Sequence, residues 1–453
     1  MMSEFAAGRP EVTPPGEWQL PVPQTTRLPS GLTVHAYHVP GQYVVSLRLT
    51  VPLALRVEPR DKEGVAALMA RLLDEGTARH STDEYTELLE RGGIGFAAGL
   101  SDGGLRVDMD VPQRRLEQAL DLMCAAVAEP AFPQRQVDRL IRTRLAEIGQ
   151  ERASSPHRAA KELAATYFDA GERASRPTGG TPATVSALTR ADLVAFHAAH
   201  VGPTHATIVV AGDLTGIDAA DSIGTAFAGW APVPVPERHV FTPARPADEA
   251  ARIVLVDRPG SVQSEIAVAC AGPDRHVDPS WAAYPVLSFI VGGSPNARVD
   301  SVLREQRGFT YGMRSSFRPR RAGGLFVTTG SVRTEVTAEA IALLLDILDR
   351  GRDGFTDDER RDGVDFLRNT APGRFAMADA IADEASGTVL DNLPLSFTSD
   401  TLAAMGELTV ADLDAAYRRW VDGKWCIVVV GDATAYADAL RGLGRGDVSV
   451  VPN

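Results

Sequence analysis

The sequence has few cysteines, no long apolar run and no surplus of positive charge. Its three cysteines are too scattered for a disulfide framework, and none has a metal-type neighbour close in sequence. No stretch of about 18 apolar residues occurs, and residues 1–15 lack the basic and apolar segments of a signal peptide. A net charge of −13 argues against nucleic acid as a partner. We therefore expect a globular, cytoplasmic protein in which Cys124, Cys270 and Cys426 are small buried residues.

The chain is long enough for two or more domains, with 453 residues of which 44% are hydrophobic. Three segments of the first half recur in order in the second half. The matched pairs are 103–111 with 323–331, 188–193 with 408–413, and 208–213 with 427–432. The first two pairs are 220 residues apart (323 − 103 and 408 − 188), and the third is 219 apart (427 − 208). This order predicts two homologous domains.

The composition indicates where the two domains meet. Prolines at 232, 234, 236, 243 and 246, together with few helix formers, predict an extended linker. The predicted segments are an N-terminal extension (1–27), a first domain (28–230), a proline-rich linker (231–250) and a second domain (251–453).

Each predicted domain begins with two strand-like runs and continues with long helices. The runs are 32–39 and 43–51 in the first domain, and 252–257 and 262–271 in the second. Because no regular βαβ alternation is present, we predict an α+β fold in which a largely antiparallel sheet is packed with helices.

The first long helix after these strands is predicted over 63–73. Val65, Leu68, Met69 and Leu72 follow the three-and-four spacing of one buried helix face. The frame around it reads Gly-Val-Ala at 64–66 and Glu-Gly-Thr at 75–77. This frame resembles the active-site helix of the pitrilysin/insulinase (M16) metallopeptidases, in particular their short two-domain branch.

The resemblance implies a zinc site that this sequence does not complete. Members of the family carry His-x-x-Glu-His on this helix, where two histidines one turn apart hold Zn²⁺ and the glutamate activates the bound water. Ala67, Ala70 and Arg71 occupy those positions here. Alanine has no lone pair to donate and arginine is a permanent cation, so we expect no metal in this chain.

The family's third zinc ligand is a glutamate in a Leu-x-Glu-Ile setting, and Glu147 matches it within residues 145–148. A single carboxylate cannot hold zinc with useful affinity. We therefore expect Glu147 to be a structural residue, either an exposed helix position or an ion-pair partner, and Arg71 is its natural partner.

Two histidine pairs offer alternative metal sites, and neither pattern is compelling. His35 and His38 are three apart on a predicted strand, so their side chains point to opposite faces. His197 and His200 are three apart on a predicted helix, but the repeat places Tyr417 at the position of His197. We interpret both pairs as ordinary structural residues.

The second domain contains a segment with a more positive signal. Residues 291–311 resemble the family's Gly-Gly-x-x-Ser-Arg-Leu-x-x-x-Leu-Arg-Glu-x-x-Gly-Leu-x-Tyr segment, and Arg304 and Tyr311 match its Arg and Tyr. In the family, this pair holds the substrate backbone and the tyrosine helps to stabilise the developing oxyanion, which suits a guanidinium fork and a phenol. Residues 259–264 and 354–367 resemble architectural segments of the same second domain.

The resemblance implies a non-catalytic subunit. In the short branch, one subunit supplies His-x-x-Glu-His with its zinc, and the other supplies Arg and Tyr around a closed chamber that admits short or unfolded peptides, such as leader segments. This sequence matches the second type, and we expect it to be inert alone. One alternative is a purely structural subunit, like the respiratory-complex core proteins of this fold. A free-standing serine enzyme is disfavoured because no Gly-x-Ser-x-Gly elbow is present.

Overall fold

The computed structural model describes residues 18–233, 243–321 and 323–453. In the first half, the strands are β1 (Gln24–Arg27), β2 (Thr33–His38), β3 (Val44–Pro52), β4 (Gly95–Ser101), β5 (Gly104–Pro112) and β6 (Thr207–Gly212). The helices are α1 (Val65–Ala70), α2 (Thr82–Gly92), α3 (Leu116–Ala128), α4 (Gln134–Ala153), α5 (Ser155–Tyr167), α6 (Pro182–Ser186), α7 (Arg190–His200) and α8 (Ala219–Ala226).

The second half has a similar order of elements, with its additional strand at the end instead of the beginning. Its strands are β7 (Ile253–Asp257), β8 (Gln263–Gly272), β9 (Met313–Arg318), β10 (Gly324–Arg333), β11 (Cys426–Gly431) and β12 (Val448–Pro452). Its helices are α9 (Ala283–Ser288), α10 (Arg298–Asp300), α11 (Thr337–Arg350), α12 (Asp357–Arg374), α13 (Ala378–Leu390), α14 (Phe397–Gly406), α15 (Val410–Trp420) and α16 (Ala437–Arg441). Two π-helical segments, Phe289–Gly293 and Ser301–Gln306, flank α10.

The described residues form two six-stranded sheets in which five strands match in order and direction, while the outermost strands differ: β1 is antiparallel to β2, and β12 is parallel to β7. The strand orders are β1-β2-β6-β3-β5-β4 and β12-β7-β11-β8-β10-β9. Most neighbours are antiparallel, while β2 with β6, β7 with β11 and β7 with β12 are parallel. The α+β prediction is therefore confirmed. Within the described residues, every helix is too short or too polar to cross a membrane.

The duplication extends to the register of the strands. Leu47 on β3 pairs with Val210 on β6, and Ile266 on β8 pairs with Val429 on β11. These equivalent residues are 219 apart (266 − 47 and 429 − 210). This is the offset predicted from the pair of segments 208–213 and 427–432.

The predicted match between 103–111 and 323–331 is wrong by one residue. Met109 on β5 pairs with Leu47, while Gly330 on β10 pairs with Ile266, so equivalent positions on these strands are 221 apart (330 − 109). A shift of one residue moves a strand side chain to the opposite face of the sheet. Leu325 accordingly faces α5 from the other half, whereas its sequence match lies in the core of its own half.

The predicted match between 188–193 and 408–413 is confirmed at its offset of 220 (409 − 189). Thr189 and Asp192 form a capping box at the start of α7, and Thr409 and Asp412 form the same box at the start of α15. Each threonine side chain accepts the third backbone N–H of its helix, which satisfies a donor that would otherwise lack a partner.

Each sheet is covered by its own half on one face and by the other half on the opposite face. The helix α5 of the first half packs on β8 and β11, and α13 of the second half packs on β3 and β6. An ion pair also connects the two halves. Arg48 is buried on β3, and its Nε lies 2.6 Å from Oδ1 of Asp383 on α13. The two halves therefore form one interlocked body.

Two predicted segments differ in detail from the structure. The strand β1 lies inside the predicted N-terminal extension and pairs with β2, so the end of that extension belongs to the first sheet. Of the predicted linker, residues 234–242 lie outside the described part of the chain. The residues that follow run beside the end of α5, where the backbone N–H of Asp169 donates to the Arg245 carbonyl at 2.9 Å.

Candidate functional site

The helix α1 begins on a buried carboxylate. One side-chain oxygen of Glu58 accepts the backbone N–H groups of Gly64 and Ala66, each at 3.1 Å, and the other oxygen accepts two N–H groups of Arg173 at 2.8 and 3.0 Å. An anion here complements the positive end of the helix. Burial raises the pKa of Glu58 while the Arg173 guanidinium opposes that shift.

The α-helix is shorter than predicted, ending at Ala70 rather than near residue 73. Tighter turns continue it, with the Leu72 N–H donating to the Met69 carbonyl at 3.0 Å. The predicted apolar stripe is confirmed, because Val65, Leu68, Met69 and Leu72 are all buried.

At the positions that resemble a zinc site, a guanidinium meets a carboxylate. Nη1 and Nη2 of Arg71 donate to Oε2 and Oε1 of Glu147 at 2.7 and 2.9 Å. Nη1 of Arg144 lies 3.3 Å from the same Oε2. The hydrogen bonds from Arg71 are the main cause that lowers the pKa of Glu147, so this carboxyl stays ionised and paired.

These residues do not fit a zinc ion. Ala67 is half-buried and Ala70 is buried, and neither side chain offers a donor atom. Both oxygens of Glu147 are already engaged by Arg71. Across the described residues, no group of three or more His, Cys, Asp or Glu side chains is arranged to hold a metal.

The second candidate pair lies on either side of a short loop. Arg304 belongs to the π-helical segment Ser301–Gln306, its side chain is 43% exposed, and its Nε lies 3.4 Å from Oε1 of Glu305. Tyr311 follows a turn at Gly308, which adopts φ +62°, and is 97% exposed. An apolar ring with this exposure is unusual, and it leaves the phenol available to another molecule.

A buried carboxylate braces this loop. Asp300 is fully buried, its Oδ1 accepts the backbone N–H of Met313 at 2.8 Å, and its Oδ2 accepts Nη1 of Arg314 at 2.6 Å. Asp300 thereby joins the segment that carries Arg304 to the residues directly after Tyr311. The sequence analysis did not single out Asp300. The only signal in the sequence was an acidic residue next to the apolar Val299 within residues 291–311.

Within the described residues, the segment that carries Arg304 and Tyr311 makes no direct polar contact with the helices that carry Arg71 and Glu147. Among the described residues, no hydrogen bond or ion pair connects the segment 298–312 to α1 or α4.

The outer edges of the two sheets also differ. On β9, the Phe317 N–H donates to Oγ of Ser288 at 3.0 Å and the Met313 N–H donates to Asp300, so side chains close this edge. On β4, within the described residues, the backbone pairs only with β5. The exposed residues of β4 are small: Gly95, Ala97, Gly99 and Ser101.

The histidine pairs are structural in this fold. Nδ1 of His35 lies 2.9 Å from Oγ1 of Thr25, whereas Nδ1 of His38 accepts the Leu214 N–H at 3.1 Å. Nε2 of His197 lies 2.9 Å from the Val127 carbonyl, so this nitrogen donates. Burial lowers the pKa of His197.

The second half repeats the His197 arrangement with another residue. Oη of Tyr417 donates to the Leu348 carbonyl at 2.8 Å, at the matching turn of α11. All three cysteines are buried free thiols, as predicted. Burial raises the pKa of Cys124 to about 11, which removes it as a nucleophile near neutral pH.

Family comparisons match both halves of the chain. The model described as insulinase (peptidase family M16) matches residues 33–181, and the model described as the peptidase M16 inactive domain matches residues 187–365. Similar curated proteins include an uncharacterised zinc protease of Streptomyces coelicolor, 23% identical over 94% of this chain and 93% of that protein. The non-peptidase homolog YmxG of Helicobacter pylori is 20% identical over 78% of this chain and 81% of its own.

Solved structures share the fold over nearly the whole chain. A peptidase M16 inactive domain from Pseudomonas fluorescens is 26% identical with a TM-score of 0.81, covering 90% of this chain and 98% of that one. A chain of complex III from Candida albicans, 16% identical, reaches 0.75 over 94% of this chain and 99% of its own, which shows the fold alone.

Proposed function

This chain belongs to the insulinase (M16) peptidase family, and from that membership we propose that it is the catalytically inactive, substrate-binding subunit of a heterodimeric zinc metallopeptidase. The partner would be a homologous subunit that carries His-x-x-Glu-His and the zinc ion. This chain would contribute Arg304 and Tyr311 to the partner's active site, and the substrates would be short or unfolded peptides, including leader peptides.

The single observation that carries the proposal is the exposure of Tyr311. A tyrosine that is 97% exposed makes little contribution to the stability of its own fold, yet it stands on a loop braced by the buried Asp300. A phenol held in this way can donate a hydrogen bond to an oxyanion that develops in a partner's site. Arg304, on the other side of the loop, can donate to peptide carbonyls.

The pairing of Arg71 with Glu147 supports the inactive half of the proposal. A guanidinium at a ligand position repels a divalent cation, and its two hydrogen bonds engage the oxygens of the remaining carboxylate. Zinc chemistry would therefore belong to the partner, whose metal would activate water.

The test measures peptide cleavage by this chain alone, by the partner alone and by the mixture. We expect activity only in the mixture, and we expect a chelator to abolish it. Replacing Tyr311 by Phe should lower the activity of the mixture about 100-fold, the scale of one lost oxyanion donor. Tyr43→Phe is the matched control, because Tyr43 is 65% exposed in the first half.

Two outcomes would contradict the proposal. Cleavage by this chain alone that survives chelation would show an independent enzyme. A mixture no more active than the partner alone would remove the heterodimer and favour the second candidate, a structural M16-fold subunit without a role in proteolysis. The exposed Tyr311 has no use in that second candidate.

A further inference from the structure

Arginine is concentrated in one part of the second half. Residues 298–333 contain no lysine, and Asp300 and Glu305 are their only acidic residues, although the whole chain has a net charge of −13. The arginines are at positions 298, 304, 307, 314, 318, 320, 321 and 333. This segment includes Tyr311 and both strands at one side of the second sheet, so the local charge there opposes that of the whole molecule.

The strand β9 presents part of this charge on one face. Met313 and Phe317 point into the core of the second half, while Arg314 and Arg318 alternate with them and are exposed. Four residues along a strand span about 13 Å. Two carboxylates four positions apart in an extended peptide can therefore reach the two guanidinium groups.

Within the described part of the chain, Arg314 and Arg320 are each paired with an acid, whereas Arg318 is not. Arg314 is paired with Asp300, and Arg320 donates two hydrogen bonds to Asp102 at 2.5 and 2.9 Å. Nε of Arg318 donates a long hydrogen bond to Oγ of Ser316 at 3.4 Å. Desolvation lowers the pKa of Arg318, and the nearby positive charge of Arg320 lowers it further.

The fold does not require arginine at these positions. Phe96 on β4 pairs with Met109, and Met313 on β9 pairs with Gly330, which is the equivalent of Met109 in the second sheet. By that register, Arg314 corresponds to Ala97. Arg318 corresponds to Ser101, because Ser101 lies five positions after Phe96 and Arg318 lies five positions after Met313 (101 − 96 and 318 − 313).

A peptide cannot add to β9 as a further strand. The outward N–H groups of Met313 and Phe317 are already accepted by Asp300 and Ser288. A bound segment must therefore be recognised through its side chains, lying over the face of the strand.

We propose that the exposed face of β9 is a carboxylate-recognising surface for an extended acidic peptide, with Arg318 as its principal contact and Arg314 as its second. Charge complementarity identifies the occupant, because guanidinium groups bind carboxylates in a bidentate geometry. The inference rests on the proposed function: Tyr311, assigned there to the substrate, lies two positions before Met313, the first residue of β9. A peptide held by Tyr311 continues over Arg314 and Arg318, so acidic peptides are the preferred substrate class.

The experiment uses the full chain and three short extended peptides that differ at two positions four residues apart. These positions carry glutamate, glutamine or lysine, and binding is measured by calorimetry at low ionic strength. We expect the glutamate peptide to bind at least about fivefold more tightly than the glutamine peptide. The advantage should be lost in Arg318→Ala, largely kept in Arg318→Lys, and transferred to the lysine peptide in Arg318→Glu.

The matched control is Arg350→Ala, because Arg350 is 71% exposed on α11 of the same half and should leave the preference unchanged. Equal binding of the glutamate and glutamine peptides would overturn the proposal, as would an equal loss in Arg350→Ala. If Arg318→Glu keeps its preference for glutamate but no longer associates with the partner, the face is a subunit interface, which also overturns it.

The proposed function is tested separately by cleavage of the glutamine peptide. A mixture that cleaves this peptide in a Tyr311-dependent way, but shows no preference for glutamate, contradicts only the acidic-substrate inference. A chain that prefers glutamate, but adds nothing to the partner's cleavage, contradicts only the proposed function.

Discussion

In the first half, Arg71 engages both oxygens of Glu147 at the positions that resemble a zinc site, and Arg173 engages the buried Glu58 at the start of the same helix. In the second half, Arg304 and Tyr311 stand exposed on a loop braced from beneath by Asp300. Both halves thus contain a buried carboxylate that accepts backbone N–H groups. Glu58 stabilises the start of α1, whereas Asp300 stabilises a loop whose side chains are exposed to solvent. In the first half the candidate side chains are occupied by one another, whereas in the second half they remain accessible, as the proposed recognition role requires.

The largest effect that tests this comparison is expected at Glu58. Glu58→Ala leaves Arg173 without its carboxylate and two N–H groups at the start of α1 without an acceptor. Breaking a buried pair of this kind costs about 3–5 kcal/mol of unfolding free energy. Denaturant unfolding checks this, with the exposed Glu87→Ala on α2 as the control. A change at Glu58 no larger than at Glu87 would show that the first half does not depend on this cluster.

A smaller effect is expected at Asp300. Asp300→Ala leaves the buried N–H of Met313 without its acceptor, which costs about 1–3 kcal/mol. Hydrogen exchange should also become faster across residues 307–312, because the brace below Tyr311 is lost. Asp300→Asn keeps an oxygen for Met313 and should restore most of the protection. Unchanged exchange in Asp300→Ala would show that the loop is ordered by other contacts.

The smallest effect is expected at Arg71. Because the folded-state pKa of Glu147 is lowered by Arg71, the pair contributes stability above the unfolded glutamate pKa of about 4.3 and loses it as pH falls through the folded value. Both side chains are about one-third exposed, so Arg71→Ala should cost at most about 1 kcal/mol near pH 7. The difference between the two proteins should shrink below about pH 4. A difference independent of pH would assign the effect of Arg71 to packing instead.

Much of this architecture could be predicted from local sequence patterns. Alternating and continuous apolar runs predicted β2, β3, β7 and β8 to within a residue or two, because strand burial depends on which neighbours share a face. The capping boxes at Thr189 and Thr409 follow from the side chains present in each local segment. The missing zinc ligands at Ala67, Ala70 and Arg71 were equally evident, since a residue type alone excludes metal donation.

The tertiary structure decided what depends on distant contacts. The one-residue shift of β10 could not be read from its Gly-Gly-Leu match, because the face of Leu325 is set by α5 of the other half. The role of Asp300 depends on a backbone N–H thirteen positions away, at Met313. That Arg314 and Arg320 are paired with acids while Arg318 is not, among the described residues, depends on where the fold places Asp300 and Asp102. The sequence by itself determined that positions 67, 70 and 71 carry no zinc-donating side chain, because that follows from residue type alone. Only the fold determined which of its charges are paired and which face outward, because pairing requires positions in space.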